Sequence, residues 1–443
     1  MRFSKFAHIL KRENTYCIYN SLNMKMFFFS EEEFKKLEIS ISKKENTKII
    51  QDLIKYKILT PTIFSEEKYL ESLCDKIFDG VQIRVMVLHL TDFCNLRCKY
   101  CFIEGNIDET YCRNNMSVKV IKKSIDKFLQ ILQDYKKTAS PSIVFYGGEP
   151  LANWKTMKIA LEYLRKKETR PIDKILITNG TLITDEIART LKEHNVHVSV
   201  SMDGNKQHTD INRVFISGEG SFEKICKGIE VLRKNKIEPS ISCVMAKENV
   251  SKAEEIIDYF AKDLKIKALG FNHVSIVPDQ NYYDEEYEKS FADALIRVQE
   301  KIQLEYSDVY ERRMNHKINC FLERKLIRAD CTGCGEQISV SPTGEIGICQ
   351  GYMGKRKTFN NSVFDPDYLP KNDPVFKEWS NRSPLKMNSC INCIALATCG
   401  GGCPRNADMF SGSIWNPDVP FCHFAKKAQE WMIWQYYDDM VGN

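Results

Sequence analysis

The chain changes its hydrophobic rhythm twice, near residues 80 and 305. Between those points short apolar runs recur at 81–90 (VQIRVMVLHL), 142–148 (SIVFYGG), 174–180 (KILITNG), 196–204 (VHVSVSMDG), 239–246 (PSISCVMA) and 268–277 (ALGFNHVSIV). Such runs read as strands buried on both faces, the habit of parallel sheets. Between them apolar residues return every third or fourth position. Phe222, Ile225, Cys226, Ile229 and Leu232 share one helical face. Val118, Ile121, Ile125, Phe128 and Leu132 do the same within a helix expected from Met116 to about Lys137. Six strand–helix units in a row predict an α/β fold, a parallel barrel left open because it falls short of eight. Ligands are then expected at the C-terminal ends of the strands.

Before residue 81 the pattern is that of a small α+β module. Residues 13–22 (ENTYCIYNSL) and 24–30 (MKMFFFS) read as two strands, being rich in aromatic and β-branched positions. Ser30 then stands as a helix N-cap before Glu31, Glu32 and Glu33, and residues 46–59 repeat the helical period. After residue 305 the alternation stops and glycine, proline and cysteine take over. That segment offers little apolar material for a core and is expected to fold around metal. Three regions follow: 1–80, 81–305 and 306–443.

A chain of 443 residues is long enough for more than one core. Its net charge of +5 is spread without a basic block, so neither nucleic-acid binding nor any obligatory anionic partner is indicated. No apolar run approaches a membrane span. Charge interrupts the first residues too early for a secretory signal, which predicts a cytoplasmic protein with reduced thiols. Seventeen cysteines in that setting point to metal rather than disulfides, and eleven of them fall in three groups, 94–101, 331–349 and 390–422. Cys17, Cys74, Cys112, Cys226, Cys243 and Cys320 lie outside the groups; Cys226 and Cys243 read as small buried hydrophobes, and Cys320 as structural. The eight histidines form no metal spacing, and His194, His197 and His208 read as surface or packing residues.

The first group is Cys94, Cys98 and Cys101, spaced C-x3-C-x2-C with Tyr100 before the last. Three thiolates on a short loop suit three irons of a cubane and leave the fourth iron open. A zinc site asks for a fourth protein ligand, and none lies nearby in sequence. The spacing and the aromatic residue resemble the cluster motif of the radical S-adenosylmethionine (SAM) superfamily. The resemblance implies SAM bound at the open iron and cleaved by one electron to a 5′-deoxyadenosyl radical that takes hydrogen from a substrate. It implies that Gly147, Gly148 and Glu149 receive the SAM amino group. It also implies that Asn179, Ser201 and Asp203 hold the ribose and that Arg213 pairs with the SAM carboxylate. The plain alternative is a strand-end turn at 147–149, packing roles for Ser201 and Asp203, and a surface Arg213.

The remaining groups are Cys331, Cys334 and Cys349, then Cys390, Cys393, Cys399 and Cys403 in C-x2-C-x5-C-x3-C, closed by Cys422. Gly344 falls in a hairpin-like turn before Cys349. This array resembles the SPASM extension of peptide maturases and sulfatase-maturating enzymes, with a pair of structural zinc ribbons as the alternative. The resemblance implies two auxiliary [4Fe–4S] clusters, three clusters in all. The first takes Cys331, Cys349 and Cys403 with Cys334 as a possible fourth ligand, the second Cys390, Cys393, Cys399 and Cys422. An electron donor such as flavodoxin or ferredoxin is implied as well.

Two enzymatic readings compete. Sulfatase-maturating enzymes carry Asp directly after the cysteine matching Cys349, where this chain has Gln350, and they lack some ninety residues before the first motif. The module at 1–80 resembles the winged-helix leader-binding domain of maturases that act on ribosomally made peptides, or it caps the barrel. The expected fold is therefore a partial (β/α)6 radical SAM barrel between a winged-helix-like module and an iron–sulfur SPASM domain. The expected activity is thioether formation in a short Cys-containing precursor peptide, with carbon–carbon crosslinking and epimerisation open. An iron–sulfur electron carrier is the reading from a different class. No catalytic residue outside these sets is assigned.

Overall fold

The computed structural model describes all residues except 108–110, 136–138, 276, 278–283, 355–356 and 443. Fifteen strands occur among the described residues. The first five are β1 (Arg2–Phe3), β2 (Ala7–Arg12), β3 (Thr15–Asn20), β4 (Met26–Ser30) and β5 (Leu59–Thr60). Then come β6 (Val85–His89), β7 (Ser142–Tyr146), β8 (Asp173–Thr178), β9 (Val196–Ser201), β10 (Ser240–Met245) and β11 (Ala268–His273). Last are β12 (Tyr310–Glu311), β13 (Gln337–Val340), β14 (Glu345–Gly347) and β15 (Asn361–Ser362).

Strands β6 to β11 are the six expected from the apolar runs, all parallel and adjacent in chain order. The helix Val118–Ile131 buries Val120, Ile121, Ile125 and Phe128, and Phe222–Lys234 buries Ile225, Ile229 and Leu232. Both stripes follow the 3.6-residue period, except that Val118 at the start of the first helix is exposed and Cys226 is only partly buried. Lys137, at the expected end of the first helix, and Ile276, in the last apolar run, lie outside the described residues.

The sheet does not stop at residue 305. β12 continues it beside β11, and β13 pairs in parallel with β6, followed by β14 and β15. The C-terminal segment thus shares the barrel's sheet, and its sparse apolar residues join the barrel's core: Phe376, Trp379, Phe421 and Phe424 all belong to the largest hydrophobic cluster. The segment's apolar residues are thus part of the barrel's core. Its aromatic residues are too irregularly spaced to announce a helix or strand, yet they find partners on the neighbouring barrel.

The N-terminal sheet, ordered β2-β3-β4, alternates its two faces. Ile18 points to Phe34, Leu37, Ile50 and Leu53 on the module's own helices, Glu31–Ser42 and Lys48–Lys55. Ser30 caps the first of these in a reciprocal arrangement with Glu33. Cys17 and Tyr19 point the other way, to Met432, Ile433 and Trp434 of the last helix, Val419–Val441. The module therefore docks on the C-terminal segment. No helix among the described residues is long and apolar enough to cross a membrane.

Candidate active site

The loop after β6 carries Cys94, Cys98 and Cys101 and is pinned from three sides. From one side comes the turn after β7. The amide of Gly148 donates to the Thr91 carbonyl and that of Glu149 to the Phe93 carbonyl, both at 2.8 Å. A Cβ on Gly148 would stand 2.3 Å from the Phe93 oxygen, and one on Gly147, where φ is +142°, 2.5 Å from the Thr91 oxygen. Only glycine lets these two backbones approach so closely. From the second side, the amides of Arg97 and Lys99 donate to the carbonyls of Val214 and Asn212. From the third, the Asn179 amide nitrogen reaches Asn95 at 2.9 Å and the Cys94 sulfur at 4.0 Å.

Glu149 is buried behind the turn. Its carboxylate accepts from the Thr178 hydroxyl (2.6 Å) and from the backbone amides of Leu151 (3.0 Å) and Asn179 (2.8 Å). The side chain ties the end of β7 to the end of β8, and burial pushes its pKa up to about 7. Asp203, fully buried just past β9, spends both oxygens inside the protein. Arg213 Nε donates to one at 2.9 Å and Nη2 to the other at 3.2 Å. The Tyr100 hydroxyl and the Val244 amide complete the set. Both oxygens of Asp203 are thus taken up by Arg213, Tyr100 and the Val244 amide. Asp203 orients Arg213, whose Nη1 lies 3.9 Å from the Cys98 sulfur and whose guanidinium covers the Tyr100 ring at 5.4 Å. Ser201 is half-buried beside Ser242 in register.

All seventeen cysteines are free of disulfides. Burial raises the thiols of Cys94, to about 12, and Cys98, to about 11, and Cys101 moves the same way. Arg213 opposes the rise at Cys98. The three thiols lie within electrostatic reach of one another. Backbone amides point at sulfur, Leu96 at Cys94 (3.4 Å) and Glu104 at Cys101 (3.5 Å). Such donors favour a thiolate, the form that binds iron. The donor set fits an iron–sulfur group: three free thiols, amide donors to sulfur and a buried cation.

The C-terminal cysteines gather as two sets of four. Cys331 stands within electrostatic reach of Cys334, Cys349 and Cys403, and Cys422 within reach of Cys390, Cys393 and Cys399. The β13–β14 hairpin explains part of this. Its antiparallel register, Ser339 opposite Gly347, brings the chain before β13 and the chain after β14 to one end. Amides of Gly333 and Gly351 point at Cys331 and Cys349, each at 3.3 Å. Burial raises every one of these thiols for which a shift is resolved, Cys334 to about 11 and Cys399 and Cys403 to about 12.

Several residues of the site escaped the sequence reading. Arg97, between two of the cysteines, bonds the Cys94 and Leu96 carbonyls. Its place inside the motif was the available signal. Lys317, Arg382 and Arg405 are buried cations beside the C-terminal thiols, and nothing in their local pattern marks them. Arg405 donates to the Gly351 carbonyl at 2.8 Å and lies 5.7 Å from the Phe102 ring, so it links the C-terminal set to the residue after Cys101. Gln350 is held by Gln337 at 2.9 Å. His194 and His208 are buried and His197 is exposed; Cys243 is fully buried, whereas Cys226 is only partly so.

Comparison with known proteins places this geometry. Residues 88–260 match the model of the Radical SAM superfamily. Among curated proteins the chain is similar to the radical SAM cyclopropyl synthase TigE of Paramaledivibacter caminithermalis, 26% identical over 385 residues, 80% of this chain and 74% of that one. Among solved structures it resembles native anSMEcpe with bound AdoMet, at TM-score 0.68 and 23% identity, covering 81% of this chain and 99% of that one. It also resembles Streptococcus suis SuiB bound to the precursor peptide SuiA, at TM-score 0.57 and 16% identity, covering 95% and 99%.

Proposed function

We propose that this chain, whose residues 88–260 form a radical SAM domain, matures a ribosomally made precursor peptide by joining a cysteine sulfur to a carbon of a neighbouring residue. The observation that carries the reading is the N-terminal module and where it docks. Its sheet ends in β2 and β4, each paired on one side only. An extended leader segment can add a strand to such an edge through main-chain hydrogen bonds. The module packs on the helix that carries Cys422, so a leader held there would deliver its core peptide toward the cysteine array. The likeness to SuiB, solved with its precursor peptide, extends over 95% of the chain.

In this reading Cys94, Cys98 and Cys101 hold a [4Fe–4S] cluster with one open iron. The backbone of Gly147 and Gly148 faces the SAM amino group, and Glu149 fixes that turn from behind. Asn179 and Ser201 line the ribose side. Arg213, aimed by Asp203 and Tyr100, meets the SAM carboxylate. The two C-terminal sets hold auxiliary clusters, with Cys334 as the fourth ligand of the first. When bound, cluster and SAM supply hydrogen abstraction from unactivated carbon. The protein's part is to exclude water, orient the SAM and hold the peptide carbon and thiol together. A one-electron donor such as flavodoxin or ferredoxin would serve the site.

A second reading has one observation in its favour. The similarity to a cyclopropyl synthase supports carbon–carbon bond formation on the same peptide. Sulfatase maturation is an equal alternative: serine- and cysteine-type anaerobic sulfatase-maturating enzymes are 33% and 32% identical over 40% and 39% of this chain, while the position where those enzymes place Asp is Gln350, bonded here to Gln337.

Co-expression with a Cys-containing peptide encoded nearby separates the readings. A thioether replaces one C–H and one S–H by C–S, so the product should be about 2 Da lighter per bond. Its cysteine should resist alkylation even after reduction, because thiol exchange opens disulfides only. The same mass loss with every cysteine still alkylated would establish the carbon–carbon reading. An unchanged mass would overturn both.

A further inference from the structure

Arg382 follows the helix Pro374–Asn381 and is 0% exposed. Its Nε donates to the Ile414 carbonyl. Nη2 donates to the carbonyls of Gly401 (2.8 Å) and Asn416 (3.3 Å), and Nη1 to that of Gly402 (3.5 Å). Each of these acceptors is a neutral backbone oxygen. Arg213 has Asp203 at 2.9 Å and Lys317 has Asp330 at 3.3 Å. Arg382 has no such carboxylate within ion-pair distance among the described residues. The buried Asp418, which accepts from the Cys403 amide at 2.8 Å, is within electrostatic reach, but no ion pair neutralises the guanidinium directly, and a buried cation so placed favours further negative charge nearby.

The surroundings say where that charge belongs. Gly401 and Gly402 lie in the loop from Cys399, of the second thiol set, to Cys403, of the first. Gly400, Gly401 and Gly402 all have positive φ, at 71°, 81° and 63°. A Cβ on Gly401 would stand 3.1 Å from Arg382 Nη1, so the loop is closed around the guanidinium. One cation is thus fixed by hydrogen bonds to the connection between the two sets.

We propose that Arg382 is the counter-charge of both auxiliary sites, a positioning residue that holds the loop between them and keeps the reduction potentials of their clusters up. The inference rests on the proposed auxiliary clusters and goes beyond them. Four thiolates make such a cluster anionic, and reduction adds one more negative charge. A buried cation at short range favours the reduced form, so its removal makes reduction harder.

The test is an anaerobic redox titration, followed by electron paramagnetic resonance, on the full-length reconstituted protein and its Arg382→Lys and Arg382→Gln variants. At a fixed potential, Arg382→Gln should lower the reduced-to-oxidised ratio of the auxiliary clusters about tenfold, about 59 mV for one electron. Arg382→Lys should stay close to wild type, and the cluster on Cys94, Cys98 and Cys101 should not move. A merely structural role would make Lys and Gln behave alike. If Arg382→Gln sheds its auxiliary iron, Arg382→Lys, which keeps the charge, decides: auxiliary potentials close to wild type uphold the proposal, and a reduced-to-oxidised ratio lowered about tenfold overturns it. Wild-type protein should hold about twelve irons. About four would overturn the cluster reading and the inference together, whereas twelve with unmoved potentials in Arg382→Gln would overturn the inference alone.

Discussion

Glu149 is a buried carboxylate served by one hydroxyl and two amides, with no cation in ion-pair distance among the described residues. Burial outweighs those donors and raises its pKa from 4.5 to about 7. The folded protein therefore keeps a proton that the unfolded chain releases between those values. Stability contributed by this group is intact below pH 4.5 and falls as pH rises toward 7, because the folded state binds more protons in that window. Glu149→Gln should flatten that part of the stability–pH curve in chemical denaturation of the metal-free protein. An unchanged slope would mean that Glu149 is ionised throughout. At this scale the residue types of the site were legible from the cysteine spacing and the GGE turn, but their partners were not. The tie from Glu149 to Thr178, and that from Asp203 to Arg213, each join the ends of different elements, and such contacts leave no trace in local pattern.

The last helix, Val419–Val441, had no stripe to reveal it. It buries Phe421 and Phe424 against the barrel, and Met432, Ile433 and Trp434 against the N-terminal sheet, so apolar residues occur around most of its circumference. β2 was missed for a related reason: His8, Lys11 and Arg12 make it look polar, although it pairs with β3 along its length. The six barrel strands were legible because each is a continuous apolar run closed by a turn. Docking of the module depends on Trp434, which packs against Phe28 at 6.2 Å and lies under the Arg12 guanidinium at 4.7 Å. Arg12 also pairs with Asp438. Trp434→Ala should cost about 3 kcal/mol in stability by opening this contact. Limited proteolysis should then cut first within residues 1–80. Equal stability and an unchanged cleavage pattern would show that the module is held elsewhere.

Across the whole molecule one sheet runs from β12 through the six barrel strands to β15, with Cys334 just before β13 and Cys349 just after β14. The N-terminal module rests on the same C-terminal segment. Peptide recognition, radical initiation and the auxiliary thiols are thereby built into one continuous framework in the proposed function. The change of rhythm at 80 and 305 gives no sign that the stretches on either side of 305 share a sheet, because the pairing of β13 with β6 spans about 250 residues and rests on four positions. The account stands on hydrogen leaving a carbon of the peptide at the site of Cys94, Cys98 and Cys101. The most direct measurement uses a uniformly deuterated precursor peptide, reduced anaerobic enzyme and unlabelled SAM, with mass spectrometry of the 5′-deoxyadenosine formed. Deuterium should appear in the deoxyadenosine made by the wild type, and the Cys94→Ala, Cys98→Ala, Cys101→Ala triple variant should make none while losing about a third of the iron. Deoxyadenosine that stays free of deuterium while the peptide is modified would contradict the account.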